Sequence, residues 1–493
     1  MFAAREPPHQ TPRNARARAG TSVTPPGDLI PIPPEAGELG AAFARAGHEL
    51  HLVGGTVRDA LMAGSDQDVD LDFATDARPD AVLAVVGPLA QATWTTGIEF
   101  GTVGAQIGER MCEITTFRAD RYDRVSRHPE VVYGDSLVHD LRRRDFTMNA
   151  MALSVTGDRL FSDPFGGLAD LARGVLRTPG KPQESFADDP LRMLRAARFA
   201  ATLAVTIAPE VQAAMTAMAE QLGRVTAERV QAELAKLLLA AVPRPGLELL
   251  VDTGLADAVL PELPALRMAA DEHGQHKDVY AHTLQVLEQV IDLEAAAGEP
   301  GDLTLRWAAL LHDIGKPATR EFAPGGRVTF HHHEVVGARL ARKRLKELRC
   351  SKQLVDDVGQ LVFLHLRFYG YRAGEWTDSA VRRYVVDAGP LLPRLHKLVR
   401  SDCTTRNRRK AAALSVAYDT LEARIAALRS QEELEAVRPD LNGNEIMAIL
   451  GIAPGPLVGQ AYQHLLALRM EHGPVGRDRA KDELTRWYAA QQQ

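Results

Sequence analysis

The chain has 493 residues, with 45% apolar and 25% charged residues and a net charge of −6, and at roughly 150 residues per domain it is long enough for about three domains. Three scattered cysteines, Cys112, Cys350 and Cys403, exclude a disulfide framework and point to a reducing, cytoplasmic setting. No apolar run reaches the roughly 20 residues of a membrane span, the N-terminus lacks the apolar stretch of a secretory leader, and the slightly acidic balance leaves any case for nucleic acid to local basic clusters.

Residues 1–35 are rich in Pro and Gly without apolar periodicity and predict a disordered tail. Residues 36–175 carry short β-type runs (HELHLVGG, VDLDFAT, EFGTVGAQI, MCEITTF) separated by glycine turns, the pattern of a small sheet domain. Ser185 and Asp188–Pro190 then read as a helix start, and Ala/Leu-rich helical segments fill 176–262, broken near Pro243, Pro245 and Pro261. Residues 263–425 are helix-rich and hold most of the histidines; 426–493 are helical around the loop GIAPGPLVG. The fold class is α+β, a small N-terminal sheet domain followed by a long all-helical remainder.

The stretch HLVGGTVRDALMAGSDQDVDLDFAT carries the first chemistry. Gly54 and Gly55 join a strand-like run to a helix-like one, where a backbone without Cβ atoms approaches a phosphate closely. Arg58 follows one turn later as a candidate phosphate donor. Asp70 and Asp72 are two apart, so on a strand they share a face. Two adjacent carboxylates repel unless a cation lies between them, and oxygen-only ligation suits Mg²⁺ and a triphosphate substrate.

This order, GG-x-VRD and then D-x-D-x-x-T, resembles the signature of the class II tRNA nucleotidyltransferases, the CCA-adding enzymes of the polymerase-β-like superfamily. Four more segments match that family in order: RRDFTMNAMA (143–152), DPFGGLADL (163–171), DDPLRMLRAARF (188–199) and AERVQAELAKLL (227–238). The resemblance implies a nucleotidyltransferase head, a helical neck, and a body and tail that hold tRNA. It also implies template-independent addition of C, C and A from CTP and ATP, with Asp70 and Asp72 holding two Mg²⁺ ions. Arg144 would then meet phosphate oxygens and Asp145 the ribose hydroxyls.

Asp189 and Arg192 are three apart and predict neighbours on one helix face. A carboxylate accepts and a guanidinium donates. That pair matches the amino donor and ring-nitrogen acceptor shared by cytosine and adenine, and opposes the edges of uracil and guanine. Arg195 is next along this face and within reach of a triphosphate. Arg198 has turned away by its periodicity, and a triphosphate role for it is implied by the family alone.

The C-terminal half supplies His282, the adjacent His312 and Asp313 in LLHDIGKP, His333 in HHHEVV, His365, and Asp402. Imidazoles with carboxylates suit Mn, Fe, Co, Ni or Zn. HDIGKP resembles the HD superfamily of metal-dependent phosphohydrolases. His282, His312, Asp313 and Asp402 follow its mononuclear ligand order, and His333 and His365 fall where binuclear members have two more. The HD arrangement looks most like actinobacterial forms.

Basic residues cluster at Arg118–Arg127 with Arg142–Arg144, at Arg339–Lys352, and at Arg394–Lys410. In a net-acidic chain these predict a segregated track for tRNA phosphates. The competing readings are a poly(A) polymerase, a partial CC- or A-adding enzyme, or an HD phosphohydrolase whose head binds nucleotide without reacting it.

Overall fold

The computed structural model describes residues 26–62, 70–119, 132–134, 136–268, 278–322, 328–368, 376–404, 407–432 and 438–492. The chain divides into two compact units, residues 1–173 and 174–493.

The first unit opens on α1 (Pro26–Leu29) and α2 (Pro34–Arg45), followed by β1 (Leu50–Val53), α3 (Gly55–Leu61), β2 (Leu71–Thr75) and α4 (Pro79–Val86). Then come β3 (Ala92–Trp94), β4 (Thr102–Ile107), β5 (Arg110–Thr116), a small ribbon of β6 (Arg118–Ala119) and β7 (Val132–Tyr133), α5 (Leu137–Arg142), β8 (Ala152–Ser154), β9 (Phe161–Ser162) and α6 (Gly167–Arg173). Seven strands form one sheet in the order β3-β4-β5-β2-β1-β8-β9. Only β2 and β5 run parallel within it.

Alternation along the strands explains the layering. Leu71, Phe73, Val103, Ala105, Cys112 and Ile114 point to one face, where Leu39 and Phe43 of α2 and Val82 and Val86 of α4 bury them. The opposite face carries a smaller cluster, Val53, Ala74, Phe117, Leu141, Ala150 and Ala152. That cluster covers only part of the sheet.

The predicted tail is shorter than expected. Residues 26–35 belong to the head rather than to the tail: Ile30 is 1% exposed within the larger cluster, and Arg159 donates to the carbonyls of Gly27 and Ile30. Apolar Leu29, Ile30 and Ile32, masked by their proline-rich setting, outweigh the composition.

The second unit begins with β10 (Val175–Leu176) paired to β11 (Thr206–Ile207) around α7 (Pro182–Asp188) and α8 (Leu191–Thr202). Helices α9 (Pro209–Met218), α10 (Ala227–Leu238), α11 (Arg244–Asp252) and α12 (Leu255–Val259) complete the neck. Pro245 lies in the first turn of α11, where its missing N–H costs nothing, so it starts a helix instead of breaking one. The body holds α13 (Val279–Ala296), α14 (Leu303–Leu311), the hairpin β12 (Arg320–Phe322) and β13 (Val328–Phe330), α15 (His333–Glu347) and α16 (Lys352–Leu364). Asp278, Asp302 and Ser351 cap the starts of α13, α14 and α16 through their side chains. Arg306 of α14 ties body to neck. It pairs with buried Glu294 at 2.8 Å and donates to the Leu238 and Ala240 carbonyls at the end of α10. Three C-terminal helices, Gly443–Leu450, Pro456–His472 and Arg477–Gln491, close on their own core of Ile446, Ala461, Leu465, Ala480 and Leu484.

Candidate nucleotidyl and metal sites

In the head, β1 ends at Val53 and α3 starts at Gly55. Gly54 between them has φ +71 and ψ −136, a conformation that favours glycine. Space excludes a side chain as well: a Cβ on Gly54 would lie 3.0 Å from Arg144 Nη1 and 3.4 Å from Asp72 Oδ2. The glycine turn, Arg144 and Asp72 therefore converge. Gly55 faces the Arg58 guanidinium, with Nη2 3.5 Å from where its Cβ would stand.

Asp70 immediately precedes β2 and is exposed; Asp72, within β2, is partly buried. Thr56 links them to α3, its hydroxyl donating to the Asp70 carbonyl at 3.3 Å and accepting from the Asp72 N–H at 3.4 Å. Sequence reasoning passed over Thr56. It also passed over Glu113, which pairs with Asp72 across the parallel β2–β5 register and faces the same side. The face thus sets Asp72 beside Glu113, with Asp70 just before the strand, and carboxylate oxygens of this kind suit a hard divalent cation. Polar alternation in RMCEITT marks Glu113 as outward, but only the strand register places it beside Asp72.

Arg58 and Asp145 belong to one buried network. Arg58 gives Nε and Nη2 to Asp59 at 2.8 and 2.9 Å and Nη1 to Asn149 Oδ1 at 2.7 Å. Asn149 in turn donates to Asp145 Oδ1 at 2.9 Å, as does the Phe146 N–H. Arg58, expected at a phosphate, is 8% exposed and braces Asp145 through Asn149. Arg144 lies 3.4 Å from Asp140 one turn earlier on α5. The DPFGG segment supports this corner. Asp163 caps α6 by accepting from the Gly167 and Leu168 N–H groups, and buried Asp170 accepts from Thr147 at 2.8 Å.

In the neck, the helix start expected near Asp188–Pro190 falls between two helices. Helix α7 ends at Asp188, Asp189 is extended with φ −143 and ψ 100, and α8 starts at Leu191. The cause is Pro190, whose ring disfavours helical backbone at the residue before it. Asp189 therefore stands at the start of α8 rather than inside a helix, and Arg192 stays one turn away, its N–H donating to the Asp189 carbonyl at 3.1 Å. Asp189 Oδ1 accepts from the Leu191 N–H at 3.2 Å and Oδ2 from Arg229 at 2.7 Å, while Arg192 Nη1 donates to Ser185 Oγ at 2.7 Å. Arg195 and Arg198 both reach Glu233 of α10, at 3.6 and 2.6 Å. Arg198 also lies 4.0 Å from the Phe199 ring centroid. Its periodicity pointed to such a structural pairing.

In the body, all six histidine and aspartate candidates come together. Two triplets, His282–His312–Asp402 and Asp313–His333–His365, each bring ligand atoms within 4.8 Å of one another. Asp313 joins them: Oδ2 is 3.5 Å from His282 Nε2 and 3.3 Å from His312 Nε2, and Oδ1 is 3.3 Å from His333 Nε2. His312 and His365 terminate α14 and α16, and His333 begins α15. Each gives Nδ1 to the carbonyl three residues earlier, Ala309, Phe330 or Val362, at 2.6–2.8 Å. A carbonyl only accepts, so Nδ1 carries the proton and Nε2 keeps its lone pair. The His333 and His365 Nε2 atoms are buried with no hydrogen-bond partner. This arrangement fits divalent cations.

The electrostatics agree. Burial drives the His365 pKa down to about 4, so it is neutral at pH 7. Burial works against a charge on His312, but the carboxylates of Asp313 and Asp402 outweigh it and raise its pKa. Burial disfavours the Asp313 anion too, yet His312 and Lys316, the latter 2.6 Å away, hold it well below the usual carboxylate range.

The basic clusters are partly spent within the protein. Arg394 pairs with Asp302, Lys397 with Glu299, and Arg400 with Asp419 and Glu422. Arg344 pairs with Glu262 and Glu347. Exposed Arg408, Arg409 and Lys410 open the helix Arg408–Glu432. Arg121, Arg124, Arg127 and Arg406 lie outside the described residues. The three cysteines are free, and among the described residues no helix is long and apolar enough to cross a membrane.

Comparison with known proteins parallels this division. Residues 50–177 match the family model described as the Poly A polymerase head domain, 204–266 a probable RNA and SrmB-binding site of polymerase A, and 279–428 the HD domain. The chain is 36% identical over 448 residues to the A-adding tRNA nucleotidyltransferase of Deinococcus radiodurans, covering 88% of this chain and 95% of the relative. It is 31% identical over 425 residues to the CCA-adding enzyme of Streptococcus gordonii, covering 85% and 88%. The solved structure of the Bacillus stearothermophilus CCA-adding enzyme in complex with CTP aligns with a TM-score of 0.65 over 95% of this chain and 99% of that one. At 24% identity, that likeness is one of fold.

Proposed function

The chain belongs to the tRNA nucleotidyltransferase family, and from that premise we propose that it adds C, C and A to tRNA 3′ ends from CTP and ATP without a nucleic-acid template. The observation that carries the reading is the convergence of Gly54, Arg144 and Asp72, with Glu113 in register beside them. Asp70 and Asp72 would hold Mg²⁺, which would supply Lewis-acid stabilisation of the charge on the reacting phosphate. Arg144 orients the triphosphate. The tRNA 3′ hydroxyl releases its proton to solvent as its oxygen bonds to the α-phosphorus, the α–β bridging bond breaks, and pyrophosphate leaves. Asp145, positioned by Asn149 and Arg58, accepts from ribose hydroxyls. Asp189 and Arg192 read the Watson–Crick edge that cytosine and adenine share. The amino group of either base donates to the carboxylate and the ring nitrogen accepts from the guanidinium. A uracil or guanine would leave buried polar groups mispaired, a penalty on the order of 10⁴-fold in selection.

The test uses tRNA ending before the first C, after one C, and after both, with CTP and ATP supplied separately. Extension of the shortest tRNA by CTP is expected, and Asp72→Ala abolishes all addition. A second reading, addition of the final A alone, is favoured by the name of the Deinococcus relative. Extension confined to the tRNA that already ends in both Cs would establish it and overturn the first. Long A tracts would replace both with a poly(A) polymerase.

For the body we propose hydrolysis of phosphate esters. His282, His312, Asp402 and Asp313, with His333 and His365, would hold a divalent transition metal, which would supply Lewis-acid activation of water there. Metal-stimulated hydrolysis of a phosphodiester reporter, lost in His312→Ala while nucleotide addition persists, is the expected result. Absence of hydrolysis with each of Mn²⁺, Co²⁺, Ni²⁺ and Zn²⁺ overturns it.

A further inference from the structure

The row of residues crossing the open face of the head sheet continues past the carboxylates. Asp72 pairs with Glu113, Glu113 with Gly104 on β4, and Gly104 with Trp94 on the edge strand β3. Partners in register share a face, so the four stand in line. Gly104 lets the indole lie flat: a Cβ there would come within 1.9 Å of Trp94 Cε2 and Nε1. The ring is only partly buried, so one side rests on the backbone of β4 and the other looks outward. With strands about 4.8 Å apart, a ring over Gly104 lies roughly 10 Å from Asp72. A nucleotide whose 3′ oxygen sits at the carboxylates spans that interval with its ribose and base.

We propose that Trp94 is the stacking platform for the terminal base of the tRNA acceptor strand, an inference that rests on the nucleotidyl-transfer reading above. The two bases at the reaction centre pose different problems. The incoming base must be discriminated, which hydrogen bonds at Asp189 and Arg192 do. The acceptor's terminal base must not be, because it changes after every addition and its starting identity differs among tRNAs. Aromatic stacking suits that requirement, since every base has a π-face. The alternative is that the indole merely shields a strand glycine from solvent. Any bulky apolar side chain would serve that purpose.

The test measures addition kinetics of the full-length chain with tRNA ending in CC and with ATP, for Trp94→Ala, Trp94→Phe and Trp94→Leu. Stacking predicts that Trp94→Ala raises the KM for tRNA about tenfold or more, with the KM for ATP within about twofold. Trp94→Phe restores the tRNA KM to within about threefold of wild type, and Trp94→Leu does not. Tryptophan emission is quenched by tRNA in the wild type and less so in Trp94→Phe; this reading needs no fully active variant. Equal rescue by Leu and Phe, an unchanged tRNA KM in Trp94→Ala, or a rise confined to the KM for ATP overturns the proposal. If the wild type extends no tRNA, the nucleotidyl-transfer reading fails instead, and tRNA-induced quenching still tests the platform.

Discussion

Asp313→Asn isolates what one buried carboxylate does in the body. Asp313 is 2% exposed, and its oxygens lie near Lys316 at 2.6 Å, His312 and His333 at 3.3 Å, and His282 at 3.5 Å. Asparagine keeps the shape and removes the charge. In the metal-free protein the Lys316 ammonium then faces imidazoles without its anion. Breaking a buried pair costs about 3–5 kcal/mol, and since Lys316 is 19% exposed, the lower end of about 3 kcal/mol applies. With metal, the triplet Asp313–His333–His365 is left with two imidazoles, whereas His282–His312–Asp402 keeps all three members. Loss of a direct ligand should exceed the 10–100-fold that outer hydrogen-bond partners are worth, on the order of 10²-fold or more. Metal content after dialysis against limiting Mn²⁺, read by mass spectrometry, should fall from two ions per chain to one or none. Calorimetry should show a lower melting temperature, and nucleotide addition should stay within about twofold. Unchanged metal stoichiometry would refute the assignment of Asp313 as the residue joining the two triplets.

Four further outcomes follow from the same structure. Gly54→Ala imposes a side chain at φ +71, where strain costs about 1–3 kcal/mol, and it presses on Arg144 Nη1. Differential scanning fluorimetry should record the loss, and kcat for addition should fall further than stability alone explains. Glu233→Leu leaves Arg198, 14% exposed, without its anion; the urea midpoint should drop by the equivalent of about 3 kcal/mol with an unchanged slope. Acidification should destabilise the metal-free body. His365 titrates at about 4 when folded against a usual 6.5, so its contribution is present above pH 6.5 and is lost as pH falls toward 4, about 3 kcal/mol in all. The raised pKa of His312 does not offset this, since its contribution is already complete below 6.5. Urea titrations across that interval check the sign. Because a cation needs His312 neutral, metal binding below its raised pKa should also release a proton, detectable as buffer-dependent heat.

The sequence and the structure agree best where chemistry is packed into a short stretch. GG, D-x-D and the RRD segment hold Gly54, Asp72 and Arg144, which the fold brings together, and all six body residues from HDIGKP and its flanks converge. Agreement fails where a second element decides. Pro190 marks the start of α8 correctly, but the carboxylate of Asp189 is bonded by Arg229, 40 residues away, which no local pattern shows. Periodicity turns Arg198 toward a structural pairing, but only the fold shows that Glu233, 35 residues away, is the partner and that Arg195 reaches it too. The third basic cluster resembles a phosphate track until Asp302, Glu299 and Glu422 are set against it.

A physical regularity underlies that division. Several of the legible residues sit at element ends: Gly54 between β1 and α3, Asp70 just before β2, His312 and His365 at helix C-termini, and His333 at a helix start. There the backbone has unsatisfied groups, and a side chain can be oriented by a bond a few residues away. The His312, His333 and His365 rings are all fixed by the carbonyl three residues earlier. Such geometry is written locally. Glu113 lies within β5 and Trp94 closes β3, and in strands alternation fixes the face but not the neighbour. Their relation to Asp72 depends on which strands pair and in which register, a property of the whole sheet. The carboxylate beside Asp72 and the aromatic ring at the end of its row therefore become visible only once the fold is known.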